Sequence, residues 1–187
     1  MRTGVRVTNI DARGVWIGDE LIRSQSILWT AGVRPSGLAA RLGAPLDRGG
    51  RVVVGKDCTL PDHPRVFAIG DIARFDTPEG PLPGVSPVAM QQGRYVARMI
   101  ERDRRREPRE PFRYVDKGSM ATIGRSRAVA QIGRLRLSGL LAWLAWLFVH
   151  LWYLIDRRNR LSVFLDWCWS YVTFRHGARL ITGRESR

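Results

Sequence analysis

The sequence has few of the residues that build disulfide frameworks, metal sites and nucleotide-phosphate loops. Its 187 residues include three histidines and two cysteines, Cys58 and Cys168, with no C-x-x-C and no histidine at zinc-ligand spacing. Neither a disulfide scaffold nor a zinc module is indicated. No G-x-G-x-x-G occurs, so the chain also lacks the glycine-rich fingerprint that cradles a dinucleotide pyrophosphate.

Acidic residues and lysines are scarce as well. The chain has 31 basic and 17 acidic residues, a formal net charge of +14, and every basic residue except Lys56 and Lys117 is arginine. This balance favours phosphate-bearing partners, namely anionic lipid headgroups, a dinucleotide or nucleic acid. The densest cluster, residues 102–106, is interrupted by an aspartate and has no interleaved aromatic side chains. We therefore expect no nucleic-acid partner.

The most informative segment is RVFAIGDIA, residues 65–73. The apolar run at 66–69 predicts a short strand buried on both faces of a parallel sheet, and such strands present ligand sites at their carboxyl ends. Gly70 lets the backbone approach a ligand closely, and the Asp71 carboxylate can accept hydrogen bonds from a polyol such as a ribityl chain. A helix-capping aspartate is the plain alternative.

A helix start follows the Pro- and Gly-rich loop at residues 77–84. Ser86 is a good N-cap, and Pro87 suits the first helical position. The free N–H groups of such a first turn, together with the positive end of the helix dipole, can face an anion or a developing negative charge. The helix start is therefore a second candidate ligand-binding element.

Four ordered segments resemble the carboxyl-terminal part of the type II NADH:quinone oxidoreductases, membrane-associated flavoproteins related to the pyridine nucleotide-disulfide oxidoreductases. The segments are ILWTAGVRPS (27–36), RVFAIGDIA (65–73), GVSPVAMQQGRYVARMI (84–100) and DKGSMATIGRSRAVAQIG (116–133). The aromatic tail that follows is also similar to that of the family. Since members carry two glycine-rich fingerprints that this sequence lacks, we expect an amino-terminally truncated portion of such an enzyme.

The resemblance implies an FAD-dependent oxidoreductase of the respiratory chain that passes electrons from NADH to a membrane quinone without pumping protons. It implies that Gly70 and Asp71 contact the ribityl chain of FAD. The backbone amides of Val88 and Ala89 would face the pyrimidine side of the isoalloxazine ring, where reduction places negative charge. Lys117 matches a family lysine beside the flavin, although an exposed turn lysine is the alternative.

The resemblance also implies sites for the two substrates. Thr30 and Gly32, at the end of ILWTAGV, would lie near bound NADH or at the hinge between domains, with a simple strand-to-turn exit as the alternative. Gln91 matches the second glutamine of the family pattern A-Q-x-x-x-Q, whose first Ala-Gln pair is replaced here by Ser-Pro. Gln91 and Gln92 are the candidates for the quinone site, and a solvated or domain-bridging glutamine is the alternative. No side chain is assigned a catalytic role.

The expected fold class is α/β, as the carboxyl-terminal part of a flavoprotein with two dinucleotide-binding domains, followed by a small antiparallel sheet and a helical membrane-binding hairpin. VRVTNI, GVWIG, ELIRS and SILWTAGV predict a β-meander ending in a parallel-sheet strand, and FRYV, SMATIG and RAVAQIG predict the small sheet. The expected divisions are a remnant of the NADH-binding domain at 1–44, part of the FAD-binding domain at 45–110, a β segment at 111–136 and a membrane-binding region at 137–187.

The tail predicts contact with a membrane. Residues 137–155 contain no Asp, Glu, Lys or Arg and have the length of a transmembrane candidate, but His150 lies inside the run and aromatic residues are spread along it. Residues 160–181 read as an amphipathic helix whose arginines contact lipid phosphates. We expect a monotopic helix pair on the cytoplasmic face of an anionic membrane rather than a single span. A buried hairpin or a homodimer interface is the alternative.

Two other functions stay open at this point. One is a catalytically silent membrane-binding fragment, because the pyrophosphate cradle is missing. The other is a flavin-dependent NAD(P)H reductase that uses another electron acceptor.

Overall fold

The computed structural model describes residues 2–30, 32–154 and 156–174, and the chain divides into two compact units at residues 1–113 and 114–187. The first unit contains β1 (Asn9–Asp11), β2 (Gly14–Ile17), β3 (Glu20–Arg23), β4 (Val52–Val53), β5 (Thr59–Leu60), β6 (His63–Phe67), β7 (Ala73–Arg74), β8 (Asp76–Thr77), β9 (Gly80–Pro81) and α1 (Ser86–Arg104). The second contains β10 (Ser119–Gly124), β11 (Arg127–Ile132), β12 (Leu135–Ser138), α2 (Gly139–Tyr153) and α3 (Arg157–Thr173).

The chain begins with the predicted meander, in which β1, β2 and β3 pair antiparallel in that order. The fourth predicted strand, SILWTAGV, is wrong: the described residues from 24 to 36 form no strand. Leu28 and Val33 are 92% and 84% exposed. A strand forms only where a neighbour accepts and donates its backbone hydrogen bonds, and no other described segment pairs with this one. Apolar, β-branched composition alone therefore misled the prediction.

The strand before Gly70 also differs from the prediction. β6 pairs antiparallel with β5 instead of lying inside a parallel sheet, and it ends at Phe67. Most residues of this strand are exposed, and Val66 is 41% exposed. Within the described residues, parallel pairing is limited to β4 with β7, two residues from each. The apolar run specified an extended segment but not its partner, because partner and burial are tertiary properties.

Helix α1 packs a single stripe against the rest of the first unit. Its buried side chains follow the helical period and are Val88, Gln92, Tyr95, Val96 and Met99. Phe112 covers this stripe, with its ring 5.3 Å from that of Tyr95 and 5.2 Å from that of Phe75. The helix begins one residue earlier than predicted: Val85 occupies the cap position and no side chain caps the first turn. Pro87 lies in that turn, as expected.

An arginine fastens the segment after α1 to the β5–β6 pair. Arg109 Nη1 donates to Asp57 Oδ2 at 2.8 Å, and its other nitrogens donate to Asp103. Burial tends to raise the pKa of Asp57, but hydrogen bonds from Thr59 and Arg109 outweigh it and lower the pKa. These bonds hold the carboxyl end of α1, at Asp103, to the segment that precedes β5.

The second unit is an antiparallel sheet with the order β10–β11–β12, covered by α2. Its third strand is Leu135–Ser138 and not the predicted FRYV, because Phe112 of that segment is buried in the core of the first unit. Ala142 of α2 is fully buried against Ala128 and Ala130. Small residues at this contact let the helix lie close to the sheet.

Helices α2 and α3 are joined through aromatic side chains. Trp146 stacks on Trp167 with 5.4 Å between ring centroids, and Trp143 lies 5.6 Å from Tyr171. The two predicted tail helices are therefore present as α2 and α3, while residues 175–181 of the predicted second helix lie outside the described residues. Of the helices that the structure describes, none is long and apolar enough to cross a membrane.

Candidate functional site

A tight turn at Gly70–Ile72 is seated on the second turn of α1. The Gly70 N–H donates to Oε1 of Gln92 at 2.7 Å. Gly70 has a φ of +69°, and a Cβ there would lie 3.3 Å from that of Ala89. A side chain at position 70 would thus be strained in backbone and tight in space, as the predicted close-approach glycine requires.

Asp71 lies beside the amino end of α1. A Cβ built on Gly84, two residues before the helix begins, would come 3.3 Å from Asp71 Oδ1. The carboxylate is exposed, and it makes no hydrogen bond or ion pair with any other residue that the structure describes. An exposed, unpaired carboxylate at a helix start retains its full capacity to accept hydrogen bonds from a ligand.

The amides of Val88 and Ala89 are not free, which corrects the prediction for them. Both donate to the carbonyl of Val85, at 3.0 and 3.3 Å. Because the helix starts one residue early, these N–H groups already have acceptors in the first turn. The positive end of the helix dipole still lies near Asp71. The two amides themselves are not available to donate to a ligand.

The two candidate quinone residues differ in environment. Gln92 is 1% exposed and its amide oxygen is used by Gly70, so the predicted contact with a quinone carbonyl is contradicted by its burial. Gln91 is half-buried. The signal that would have separated them is the helical period, because Val88, Gln92, Tyr95 and Met99 fall on one face.

Thr30 and Gly32, the candidates for the nicotinamide site, lie in the irregular segment after β3. Both are exposed, and Gly32 has a φ of +100°. This positive φ explains the glycine, since it lies outside the usual range of L residues. Their predicted contact with NADH stays a prediction.

Lys117 belongs to the second unit, where it lies just before β10. Its Nζ donates to the hydroxyl of Tyr153 at 3.1 Å and lies 5.6 Å from the centroid of that ring. The predicted flavin lysine is therefore engaged with the last residue of α2. Its predicted role beside the flavin stays a prediction.

An aromatic cavity of about 410 Å³ lies between α2 and α3. Its walls include Trp143, Trp146, Phe164 and Trp167, and Arg125 stands at its edge. Arg125 Nη2 donates to the carbonyls of residues 170 and 171 at 2.9 and 2.8 Å, so it fastens the β10–β11 turn to the end of α3. The cavity is apolar and open.

The residues around Asp71 fit one end of a flavin. Gly70 has no side chain and the neighbouring carboxylate has no partner among the described residues, which suits a polyol. The start of α1 suits the electron-rich side of a ring. The two best-defined cavities in the described part of the chain lie in the second unit and are not lined by Asp71, whose own side chain is exposed. The site is an open edge.

Each of the two units contains a segment that matches a known protein family. The family model described as pyridine nucleotide-disulphide oxidoreductase matches residues 1–93, and that described as NDH2 C-terminal domain matches residues 117–176. The α/β class and the carboxyl-terminal position predicted from the sequence are thereby confirmed.

Two curated proteins show the relationship over most of the chain. The type II NADH:quinone oxidoreductase Ndh of Mycobacterium tuberculosis is 39% identical over 198 aligned positions, covering 100% of this chain and 42% of that protein. The internal alternative NAD(P)H-ubiquinone oxidoreductase A1 of Arabidopsis thaliana mitochondria is 31% identical, over 82% of this chain and 34% of that protein. The chain thus spans about two fifths or less of these relatives.

A solved structure shows the same fold. The NDH2 of Plasmodium falciparum, determined in complex with NADH, matches with a TM-score of 0.74 at 14% identity, over 92% of this chain and 51% of that one. The chain belongs to the type II NADH:quinone oxidoreductase family, as the four ordered segments of its sequence predicted.

Proposed function

We propose that this chain is the part of an NADH:quinone oxidoreductase that holds the ribityl end of the flavin and rests on the membrane. Electrons would pass from NADH to a membrane quinone without proton pumping. The observation that carries this proposal is the Asp71 carboxylate beside the amino end of α1, which is exposed and has no partner among the described residues. Gly70, the residue before it, has no side chain and so leaves room for a polyol beside the carboxylate.

The proposed cofactor is FAD, which when bound accepts a hydride from NADH and delivers two electrons to the quinone. Asp71 accepts hydrogen bonds from the ribityl hydroxyls, and Gly70 leaves room for the chain to pass. The dipole of α1 favours negative charge on the side of the ring that faces it. Val88 and Ala89 contribute through this dipole, because their N–H groups are already bonded.

The substrate sites are part of the same proposal. Thr30 and Gly32 border the NADH site, and both are accessible. Gln91 is the glutamine proposed to face the quinone, whereas Gln92 is withdrawn from that role by its burial. Lys117 provides a cation on the second unit that can polarise a quinone oxygen or favour anionic reduced flavin.

The membrane-binding element is the α2–α3 pair. Leu140, Leu144, Phe148 and Trp152 recur every four residues along α2, and each is between 46% and 65% exposed. A stripe of this kind on a helix too short to span favours insertion into one leaflet. We propose monotopic binding at the cytoplasmic face, with anionic headgroups attracted by the +14 charge. A homodimer interface is the alternative use of this helix pair, and size-exclusion chromatography with light scattering would test for it.

A catalytically silent membrane-binding fragment is the second candidate. The observation that favours it is the open edge at Asp71 in a sequence without a glycine-rich fingerprint. In that case the helices would bind membranes while no flavin is held.

Flavin absorbance and NADH-dependent quinone reduction distinguish these candidates. They are measured for the chain alone and for a fusion in which the amino-terminal part of the M. tuberculosis relative precedes it. The proposal expects a yellow, quinone-reducing fusion, and Asp71→Ala should lower its flavin content while Asp62→Ala, at another exposed aspartate of the same unit, should not. A colourless fusion that still binds vesicles would favour the silent fragment.

A further inference from the structure

Gln92 is an unusual residue for the inner face of α1. It is 1% exposed, and the other buried residues of the helix are apolar or, in Tyr95, aromatic. Among the described residues, Thr59 is the only other buried polar side chain. Burying an amide costs free energy unless its polar atoms are bonded, so the identity of its partner carries information.

That partner is the backbone of the candidate flavin turn. The Gly70 N–H donates to Gln92 Oε1 at 2.7 Å across 22 positions of sequence. A backbone N–H can only donate, so the amide oxygen must face it. Asp71 is the next residue along the chain, and a shift of Gly70 moves its carboxylate.

Two glycines show that this face of α1 passes close to the turn. Ala89 would lie 3.3 Å from a Cβ on Gly70, and a Cβ on Gly93 would lie 3.9 Å from Cδ1 of Ile69. Residues 89, 92 and 93 are three and four positions apart, so they share one helical face. The Gln92 bond is the directional interaction between this face and the turn, whereas the two glycines show only that the backbones pass close to each other.

We propose that Gln92 is a positioning residue for the flavin site, which aims the Asp71 carboxylate by holding the Gly70 amide. This inference rests on the proposed flavin function. Gln92 touches neither flavin nor substrate and acts through Gly70. The carboxylate then meets the ribityl chain without first searching other orientations, and affinity is gained by preorganisation.

Three variants separate this role from general stability. Gln92→Leu keeps the approximate volume and removes the acceptor, and Gln92→Glu keeps an acceptor for Gly70. Asp71→Ala removes the carboxylate that Gln92 is proposed to aim. Binding of FAD and of ADP, which lacks the ribityl chain, is measured on the apo form of the fusion described above. Hydrogen exchange at the Gly70 amide is followed by NMR in the flavin-free chain of 187 residues.

We expect Gln92→Leu to weaken FAD binding about fivefold to tenfold, as for loss of one hydrogen bond, and to leave ADP binding within about twofold. The Gly70 amide should exchange quickly in Gln92→Leu and stay protected in Gln92→Glu, which should also retain FAD. In the Asp71→Ala background, Gln92→Leu should cause little further loss of FAD affinity, because the two residues act as one unit.

Two results would overturn the inference while leaving the proposed function intact. One is an equal loss of FAD and ADP affinity in Gln92→Leu, which indicates general damage to the unit. The other is full additivity of Gln92→Leu and Asp71→Ala, which indicates that the two residues act separately. Absence of FAD binding by the unsubstituted fusion would instead overturn the proposed function, and this inference with it.

Discussion

Replacing Phe148 by alanine tests how the second unit meets a membrane. Phe148 lies on the outer stripe of α2 and is 65% exposed. Full burial of a phenylalanine side chain is worth about 1.5–3 kcal/mol, so moving this exposed fraction from water into lipid contributes about 1–2 kcal/mol. We expect Phe148→Ala to weaken partition into vesicles by about fivefold to thirtyfold, since 1.4 kcal/mol is a factor of ten.

Co-sedimentation with vesicles measures this partition, using neutral vesicles and vesicles that contain anionic lipid. Leu28→Ala is the matched control, because Leu28 is more exposed, at 92%, but lies in the first unit. If exposed apolar area alone drove binding, the control would weaken it at least as much. Unchanged partition of Phe148→Ala, or an equal loss in Leu28→Ala, would refute the assignment of α2 as the inserted element.

Three further substitutions or reactions test the fold. Gly118→Ala should destabilise the chain by about 3–4 kcal/mol in urea unfolding, and Gly133→Ala by about 1–2 kcal/mol. Both glycines have a positive φ, but of the two only Gly118 lies where a Cβ would collide with the neighbouring strand. A thiol reagent should modify the exposed Cys168 quickly and Cys58 only on unfolding, because burial raises the pKa of the Cys58 thiol to about 12. Phe112→Ala should cost about 3–5 kcal/mol in the same unfolding assay, because it removes a buried ring that contacts Phe75 and Tyr95 and leaves a cavity in the core.

Local signals predicted the elements whose stability is local. The meander β1–β3 follows from alternating β-rich runs separated by short turns, and α1 follows from its proline, its preceding loop and its apolar period. The segment ILWTAGV has equally strong β composition, yet those of its residues that the structure describes form no strand. The difference lies in the availability of a hydrogen-bonding neighbour, which no property of the segment itself encodes.

The candidate site was predictable in position but not in detail. The order of RVFAIGDIA and the helix start placed Asp71 near the amino end of α1, where the structure has it. The engagement of the Val88 and Ala89 amides depends on a shift of one residue in the helix start, which sequence patterns do not resolve. The resemblance implies a quinone role for both Gln91 and Gln92, whereas the period of the buried stripe places Gln92 on the inner face of α1.

The geometry at Asp71 bounds how much of flavin binding this chain can supply. A hydrogen bond to a charged group is worth about 1.5–3 kcal/mol, and even two such bonds to a polyol reach only about 3–6 kcal/mol, which corresponds to affinities from millimolar to tens of micromolar. Tight retention of FAD needs the pyrophosphate cradle, and the sequence contains no glycine-rich fingerprint to form one. We therefore expect the chain alone to lose flavin on dilution and the fusion to keep it. Tight binding of FAD by the chain alone would show that other residues of this sequence hold the pyrophosphate.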